Sequence, residues 1–421
     1  MNKDLIKEIL IEQHAKIIAS ENGIERNLLN ELDQKLKIPH VLIISGIRRS
    51  GKSTLMRQII SRYYNELPWY YINFDDERWL GFHAQDFNQI YECLIELYGQ
   101  AKTFFIDEIQ NVDKFESFVR RFYDDGFKFI ITGSNSNLLG SELASRLTGR
   151  YIEISLYPFD FREFLKYNGL EITDNSIYKT DERALLTKYF EIYLHHGGMP
   201  EYIKYNDNDI LRHIYDNIVS KDIALRYSIS KVYEMRELFQ YLITNFARRY
   251  SYTSVSKNIN LESKITVKDF ISYFEFSFLG KQVYKFDFSF KKQLVNEKKL
   301  YIVDNAFIPL ISTSTTKDKG RLLENLVFNI LKKKNTVHYF NAKKECDFIC
   351  TLDNKINGIF QVCFELNDTN IKREVSGLLS AMEYLNYHEG LILTYDQDEE
   401  IEKSGYKLKA LPVWKWLLNE L

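Results

Sequence analysis

The stretch Gly46-Ile47-Arg48-Arg49-Ser50-Gly51-Lys52-Ser53-Thr54 sets two glycines and a lysine–serine pair at the spacing of a phosphate cradle. The glycines let the backbone turn tightly with its N–H groups facing an anion. Lys52 is placed to reach the β- and γ-phosphates of ATP, and the Ser53 hydroxyl to ligate Mg²⁺. The whole loop, Gly46 to Thr54, is the expected nucleotide contact. Such a loop works only between a strand and a helix, because the helix N-terminus then faces the phosphates. Both flanks are present: Val41 to Ile44 is an apolar run of strand length, and Leu55, Ile59 and Ile60 recur at helical spacing towards Tyr64. This is a full Walker A pattern in its proper context.

A second group of acids complements it. Asp107-Glu108 closes the apolar run Thr103-Phe-Phe-Ile, the form of a Walker B strand. Asp107 is expected to hold Mg²⁺ through water, and Glu108 to polarise the attacking water. Phosphoryl transfer asks for positioning and charge stabilisation more than covalent chemistry, and these residue types supply both. Asn135, with Ser134 as the alternative, follows another apolar run and could orient the water near the γ-phosphate. Arg150, or Arg146, could offer positive charge to the γ-phosphate of a neighbouring subunit. That role implies a homo-oligomer; the plainer reading is a cation complementing a helix C-terminus.

These residues need a frame that brings them to one edge. Residues 3–20 and 27–37 read as helices, and strand-like runs at 41–44, 69–74, 103–109, 128–133 and 151–156 alternate with helical ones. Alternation of this kind predicts an α/β domain with a parallel sheet covered on both faces. Ligands bind such sheets at the strand carboxyl ends, where the loop, the acids and Ser134-Asn135 all fall.

Composition narrows the class. The chain has 421 residues, enough for two or three domains, with 45% hydrophobic and 27% charged residues. A net charge of −2 excludes a uniformly basic nucleic-acid coat while allowing a local patch. No signal-peptide core and no apolar run of membrane-spanning length is visible, so a cytoplasmic protein without a membrane partner, with reduced thiols, is expected. Cys346, Cys350 and Cys363 lack zinc-site spacing and read as core residues. The His195-His196-Gly-Gly-Met-Pro200 stretch reads as a turn, since no third ligand is spaced for a metal.

The second half is less direct. Residues 233–290 have a helix–helix–helix–strand–strand order, a plausible winged helix. Lysines 281, 285, 291, 292, 298 and 299 would make a basic wing suited to DNA phosphates. Beyond residue 300 the order is helix, three strands, helix, strand, with Glu324 on the first helix and Asp347 on a strand. That is the skeleton of restriction-endonuclease-like folds, in which two acids and a lysine serve a metal ion. The Glu-x-Lys expected on the third strand is replaced by Gln361-Val362-Cys363, so cleavage chemistry is not expected.

Taken together, the Gly46–Ser53 loop, Phe74-Asp-Asp-Glu-Arg78, Asp107-Glu-Ile-Gln110, Thr132-Gly-Ser-Asn135 and Leu147-Thr-Gly-Arg150 resemble the prokaryotic AAA+ ATPases with a C-terminal PD-(D/E)XK-like domain. Gly320-Arg-Leu-Leu-Glu-Asn325 and Glu345-Cys-Asp-Phe348 are similar to that domain's first helix and strand. The resemblance implies binding of ATP and Mg²⁺ at the residues named. The expected organisation is an AAA+ P-loop ATPase core with N-terminal helices at 1–160, a helical lid and winged-helix-like region at 161–299, and a degenerate nuclease-like domain at 300–421. The leading expectation is an ATPase acting on DNA. An ATP-dependent nuclease using Glu324 and Asp347, and a nucleotide-controlled switch for protein partners, are the alternatives.

Overall fold

The computed structural model describes residues 1–134, 147, 149–173, 175–261, 263–313, 318–403 and 405–420. The chain forms two compact units, one of Met1–Tyr157 with Phe276–Phe278 and one of Pro158–Glu275 with Leu279–Leu421.

The first unit is built on strands β1 (Val41–Ser45), β2 (Tyr70–Asn73), β3 (Thr103–Asp107), β4 (Lys128–Gly133) and β5 (Tyr151–Ser155). They form a parallel sheet in the order β2-β3-β4-β1-β5, as the alternation predicts. Every residue of β1 and β3 is buried, the mark of a sheet covered on both faces. Strand periodicity sends alternate side chains to separate cores. Val41, Ile43, Phe104, Ile106, Phe129 and Ile131 join one, and Leu42, Ile44, Phe105 and Ile130 the other. The helix Lys3–Ala19 packs Ile6, Ile9 and Leu10 into the first core. The helix Lys52–Tyr63 packs Leu55, Met56, Ile59 and Ile60 into the second. Each strand's polar end is thereby left at one edge.

The second unit holds an eight-stranded mixed sheet: β6 (Gly280–Lys285), β7 (Lys298–Ile302), β8 (Thr336–Asn341), β9 (Glu345–Leu352), β10 (Lys355–Val362), β11 (Leu391–Thr394), β12 (Glu399–Lys403) and β13 (Tyr406–Pro412). Its order is β12-β13-β11-β10-β9-β8-β6-β7. Two sequence expectations are corrected here. A boundary between 299 and 300 would fall inside β7, and the β6–β7 hairpin is part of the C-terminal sheet, because β6 pairs with β8. The basic wing is also smaller than its lysines imply. Lys298 is buried, donating to Leu294 O and Asn296 O, and Lys299 is buried among carboxylates. The helices expected before the hairpin are present as Val232–Thr244, Tyr252–Asn258 and Lys264–Phe276.

The helix Thr180–His196 ends at Gly197, whose φ of 67° is left-handed. A Cβ there would lie 1.6 Å from Asp304 Oδ1. Asp304 in turn accepts from Gly198 N at 2.7 Å and Ala306 N at 2.9 Å. Burial raises its carboxyl to about 6 in spite of these bonds. A raised carboxyl favours the folded state most below the unfolded value near 3.8. That contribution fades as pH rises through about 6, a loss of about 3 kcal/mol. Urea unfolding between pH 4 and 7 should show the decline, and Asp304→Asn should flatten it. Gly197→Ala should cost roughly 3 kcal/mol or more in the same assay, from clash and backbone strain together.

Candidate functional site

The phosphate loop joins β1 to the helix Lys52–Tyr63, as its sequence requires. Gly51 has φ 96°, a conformation open to glycine, and sits at the helix N-cap. Gly46 is needed for space: a Cβ would fall 2.3 Å from Leu156 O. Ile47 is buried, anchoring the loop from below, while Arg48, Arg49 and Thr54 are at least partly exposed. Lys52 is buried, and its ammonium donates to Gly46 O at 3.1 Å and Ile47 O at 3.3 Å. The same nitrogen is 3.7 Å from Glu108 Oε1. A phosphate would offer this lysine a stronger, charged partner than two carbonyls.

The sheet order brings the acids to the loop. Because β4 lies between β1 and β3, the end of β4 stands between Lys52 and Asp107. Thr132 on β4 links the pair of acids: its hydroxyl donates to Asp107 Oδ1 and accepts from Glu108 N at 3.1 Å. The Tyr71 hydroxyl on β2 donates to Asp107 Oδ2 at 3.3 Å. Ser53 also hydrogen-bonds the Asp107 carboxylate. Burial, followed by the neighbouring Glu108 charge, raises Asp107 above the ordinary carboxylate value; Ser53, Thr132 and Lys52 counteract. Glu108 has φ 51° and accepts from Gln110 Nε2.

These groups fit a nucleotide phosphate with a divalent ion. Ser53 and Asp107 form a hydroxyl–carboxylate pair of hard oxygen donors, the chemistry Mg²⁺ requires. Among the described residues, the hydroxyls of Ser50 and Ser134, both buried at the loop and at the end of β4, have no hydrogen-bond partner. Buried hydroxyls of this kind call for a further polar partner. Asn135 and Arg146 lie outside the described residues. Arg150 lies at the amino end of β5, its carbonyl accepting from Val41 N at 3.2 Å. The length of β5, roughly 16 Å at the usual rise, separates it from the loop of its own chain. Its exposed guanidinium pairs with Asp124 at 2.9 Å.

Sequence reasoning missed four supports. Arg26, buried, donates to Ser50 O at 2.9 Å and Tyr157 O at 2.7 Å, clamping the loop to the segment after β5. Gln58 holds the Arg26 segment by donating to Asn22 O and Ile24 O at 2.7 and 2.6 Å. Tyr71 and Thr132 are the others; Tyr71 pairs with Phe105, two residues before Asp107, and Thr132 follows the Ile106–Ile131 pair, a signal visible only once strand order is known.

A parallel sheet carrying a phosphate loop, an acid pair and a polar β4 terminus defines a P-loop nucleotide-binding domain, and residues 39–165 match the AAA domain model. Residues 187–317 match a domain of unknown function, DUF8612. The chain belongs to the family of uncharacterized protein MJ1544 of Methanocaldococcus jannaschii, 32% identical over 441 residues that cover 100% of this chain and 96% of that relative. An uncharacterized protein of Haemophilus influenzae is 29% identical, covering 93% and 98% of the two chains. Among solved structures, AMPPCP-bound DnaA from Aquifex aeolicus overlaps 59% of this chain and 86% of its own, at 16% identity and a TM-score of 0.27. The Thermotoga maritima RuvB Holliday junction branch migration motor overlaps 64% and 88%, at 16% identity and a TM-score of 0.25. At these scores the overlaps carry no functional argument.

Thr132→Val keeps the shape of β4 but removes both hydrogen bonds to the acid pair. Steady-state ATPase kinetics should show kcat lowered on the order of 10- to 100-fold, as for other groups that orient metal-binding residues. The nucleotide dissociation constant should change little, because the loop itself is untouched.

Proposed function

We propose that the protein is an ATPase that binds ATP with Mg²⁺ at the β1 loop and uses the cycle to act on DNA. The observation that carries the first part is the convergence of Lys52, Asp107-Glu108 and the Thr132–Ser134 terminus on one sheet edge. Residues Gly46 to Thr54 hold the phosphates, with Lys52 on the β- and γ-oxygens. Ser53 and Asp107 hold the ion, which when bound offsets phosphate charge. Glu108 takes a proton from, or polarises, the attacking water, and Asn135 orients it, with Ser134 as the alternative. Glu108 lies 3.7 Å from the Lys52 ammonium, so the base and the phosphate-binding cation already share one location.

The DNA part rests on the second unit. Its helices before the β6–β7 hairpin have a winged-helix order. Glu324, Asp347 and Gln361 line one cleft of about 820 Å³, with Lys343, Lys344 and Arg373 also in its wall. Lys343, Lys344, Arg321 and Arg373 would meet a phosphodiester backbone there by charge and shape, although six acids (Asp318, Glu324, Glu345, Asp347, Glu365 and Glu374) share the cleft. In this reading the C-terminal part is a degenerate nuclease-like module that holds DNA without cutting it.

ATPase rates measured with and without linear and branched DNA test the proposal. DNA should stimulate hydrolysis, and no response to any form would sink the DNA reading while leaving the ATPase reading intact. Lys52→Ala should abolish hydrolysis. Glu108→Gln should retain ATP binding and lose roughly 10²-fold or more in kcat, the scale of a general base.

The position of Arg150 leads to the oligomer proposal. Being at the far end of β5 from its own loop, it serves a neighbouring copy in the active state. Arg150→Ala and Lys52→Ala proteins, each inactive alone, should regain hydrolysis when mixed, since one supplies the site and the other the arginine. Failure to complement, with subunit exchange confirmed, would leave Arg150 as a partner of Asp124 only.

A further inference from the structure

Nuclease-like folds of the kind expected for the C-terminal part use two acids and a third-strand lysine around a divalent ion. The donor set here does not fit one. Lys299 of β7 is 4% exposed at its side chain and stands among three carboxylates: Glu324 Oε1 at 3.0 Å, Glu345 Oε1 at 3.0 Å and Asp347 Oδ1 at 3.6 Å. Further donors reach two of these acids, Tyr301 on the same Glu324 oxygen as Lys299 and the β10 backbone on Asp347. Glu324 also accepts from the Tyr301 hydroxyl at 2.6 Å, and Asp347 Oδ2 accepts from Val362 N at 2.9 Å. Gln361, at the position of the missing acid, donates to Glu374 at 2.7 Å and accepts from Asp347 N at 3.3 Å. Among the described residues no cluster of His, Cys, Asp or Glu is arranged to hold a metal ion.

The lysine is held there by the fold. Asn325, fully buried, pairs with the backbone of β7: it accepts from Ile302 N at 2.7 Å and donates to Ile302 O at 2.9 Å. That double bond fixes the helix Lys319–Leu331 against β7, and so Glu324 against Lys299. Burial opposes the ammonium charge, but Glu324, Asp347 and Glu345 outweigh it, and Lys299 titrates well above an ordinary lysine.

We infer that Lys299 is a built-in cation that stands where a divalent ion would otherwise bind, so that the cleft handles its ligand without metal. One ammonium at these distances satisfies Glu324 and Asp347 and repels a second cation from the same oxygens. The inference is independent of whether the ligand is DNA, so failure of DNA binding would not touch it.

Isothermal titration of the full-length, nucleotide-free protein with Mn²⁺ tests it. Wild type should show no Mn²⁺ binding that depends on Glu324. Lys299→Met should gain a site roughly a hundredfold tighter, the order expected when a like charge ~3 to 4 Å away is removed. That site should vanish again in Lys299→Met/Glu324→Gln. Should Lys299→Met fail to fold, Lys299→Met/Glu345→Gln removes one charge of each sign, keeps Glu324 and Asp347, and should gain the same site. Wild-type Mn²⁺ binding, or Mn²⁺-dependent DNA cleavage, that Glu324→Gln abolishes would overturn the inference. So would a folded Lys299 variant that gains no site.

Discussion

The nucleotide site depends on a close approach of backbone to backbone. Gly46 lies so near the carbonyl of Leu156 that no side chain fits between them. The phosphate loop is therefore pressed against the segment that follows β5, and Arg26 fastens the two by donating to Ser50 O and Tyr157 O. Leu156 N also donates to Ser45 O at 2.7 Å, just before the loop begins. The cradle is fixed on both sides before any ligand arrives, so little ordering is left for binding to impose.

The two clefts treat buried charge differently. At the loop, Lys52 is shared between two carbonyls and one carboxylate at 3.7 Å, an arrangement a phosphate can improve on. At the C-terminal cleft, Lys299 already has three carboxylates. Removing a buried charge from water is costly, and only close, well-directed partners offset it. The first lysine has partners that a ligand can replace, while the second has partners that a ligand would have to break.

Much of the nucleotide site was legible because it is written in local patterns. An apolar run, a glycine loop and a periodic helix are adjacent in sequence, and the acid strand carries its own signature. Arg26 and Tyr157 are far apart along the chain, and neither shows a pattern pointing to the other. Tyr71 and Thr132 acquire their role only from the strand order. In the second half, most helices and several strands were readable from periodicity, but β7, β12, β13 and the helix Val413–Glu420 were not, and neither was the pairing. Lys298 and Lys299 belong to a run that looks solvated, and only the docking of β7 beside the helix of Glu324 buries them. The strand β12, Glu399-Glu-Ile-Glu-Lys403, is an exposed edge strand; charged edges of this kind deter pairing with other chains.

The position of β6 in the large sheet bears on how this part of the chain can be divided. A polypeptide beginning at residue 300 would lack β6 and the first two residues of β7, leaving the β8 edge open and Glu324 and Asp347 without Lys299. Such a fragment would carry an adhesive strand edge and uncompensated negative charge at once. The segment matched by DUF8612, which ends at residue 317, therefore reaches into the sheet that follows it. The two stretches of sequence therefore form one folding unit, whose strand edges close only when both are present.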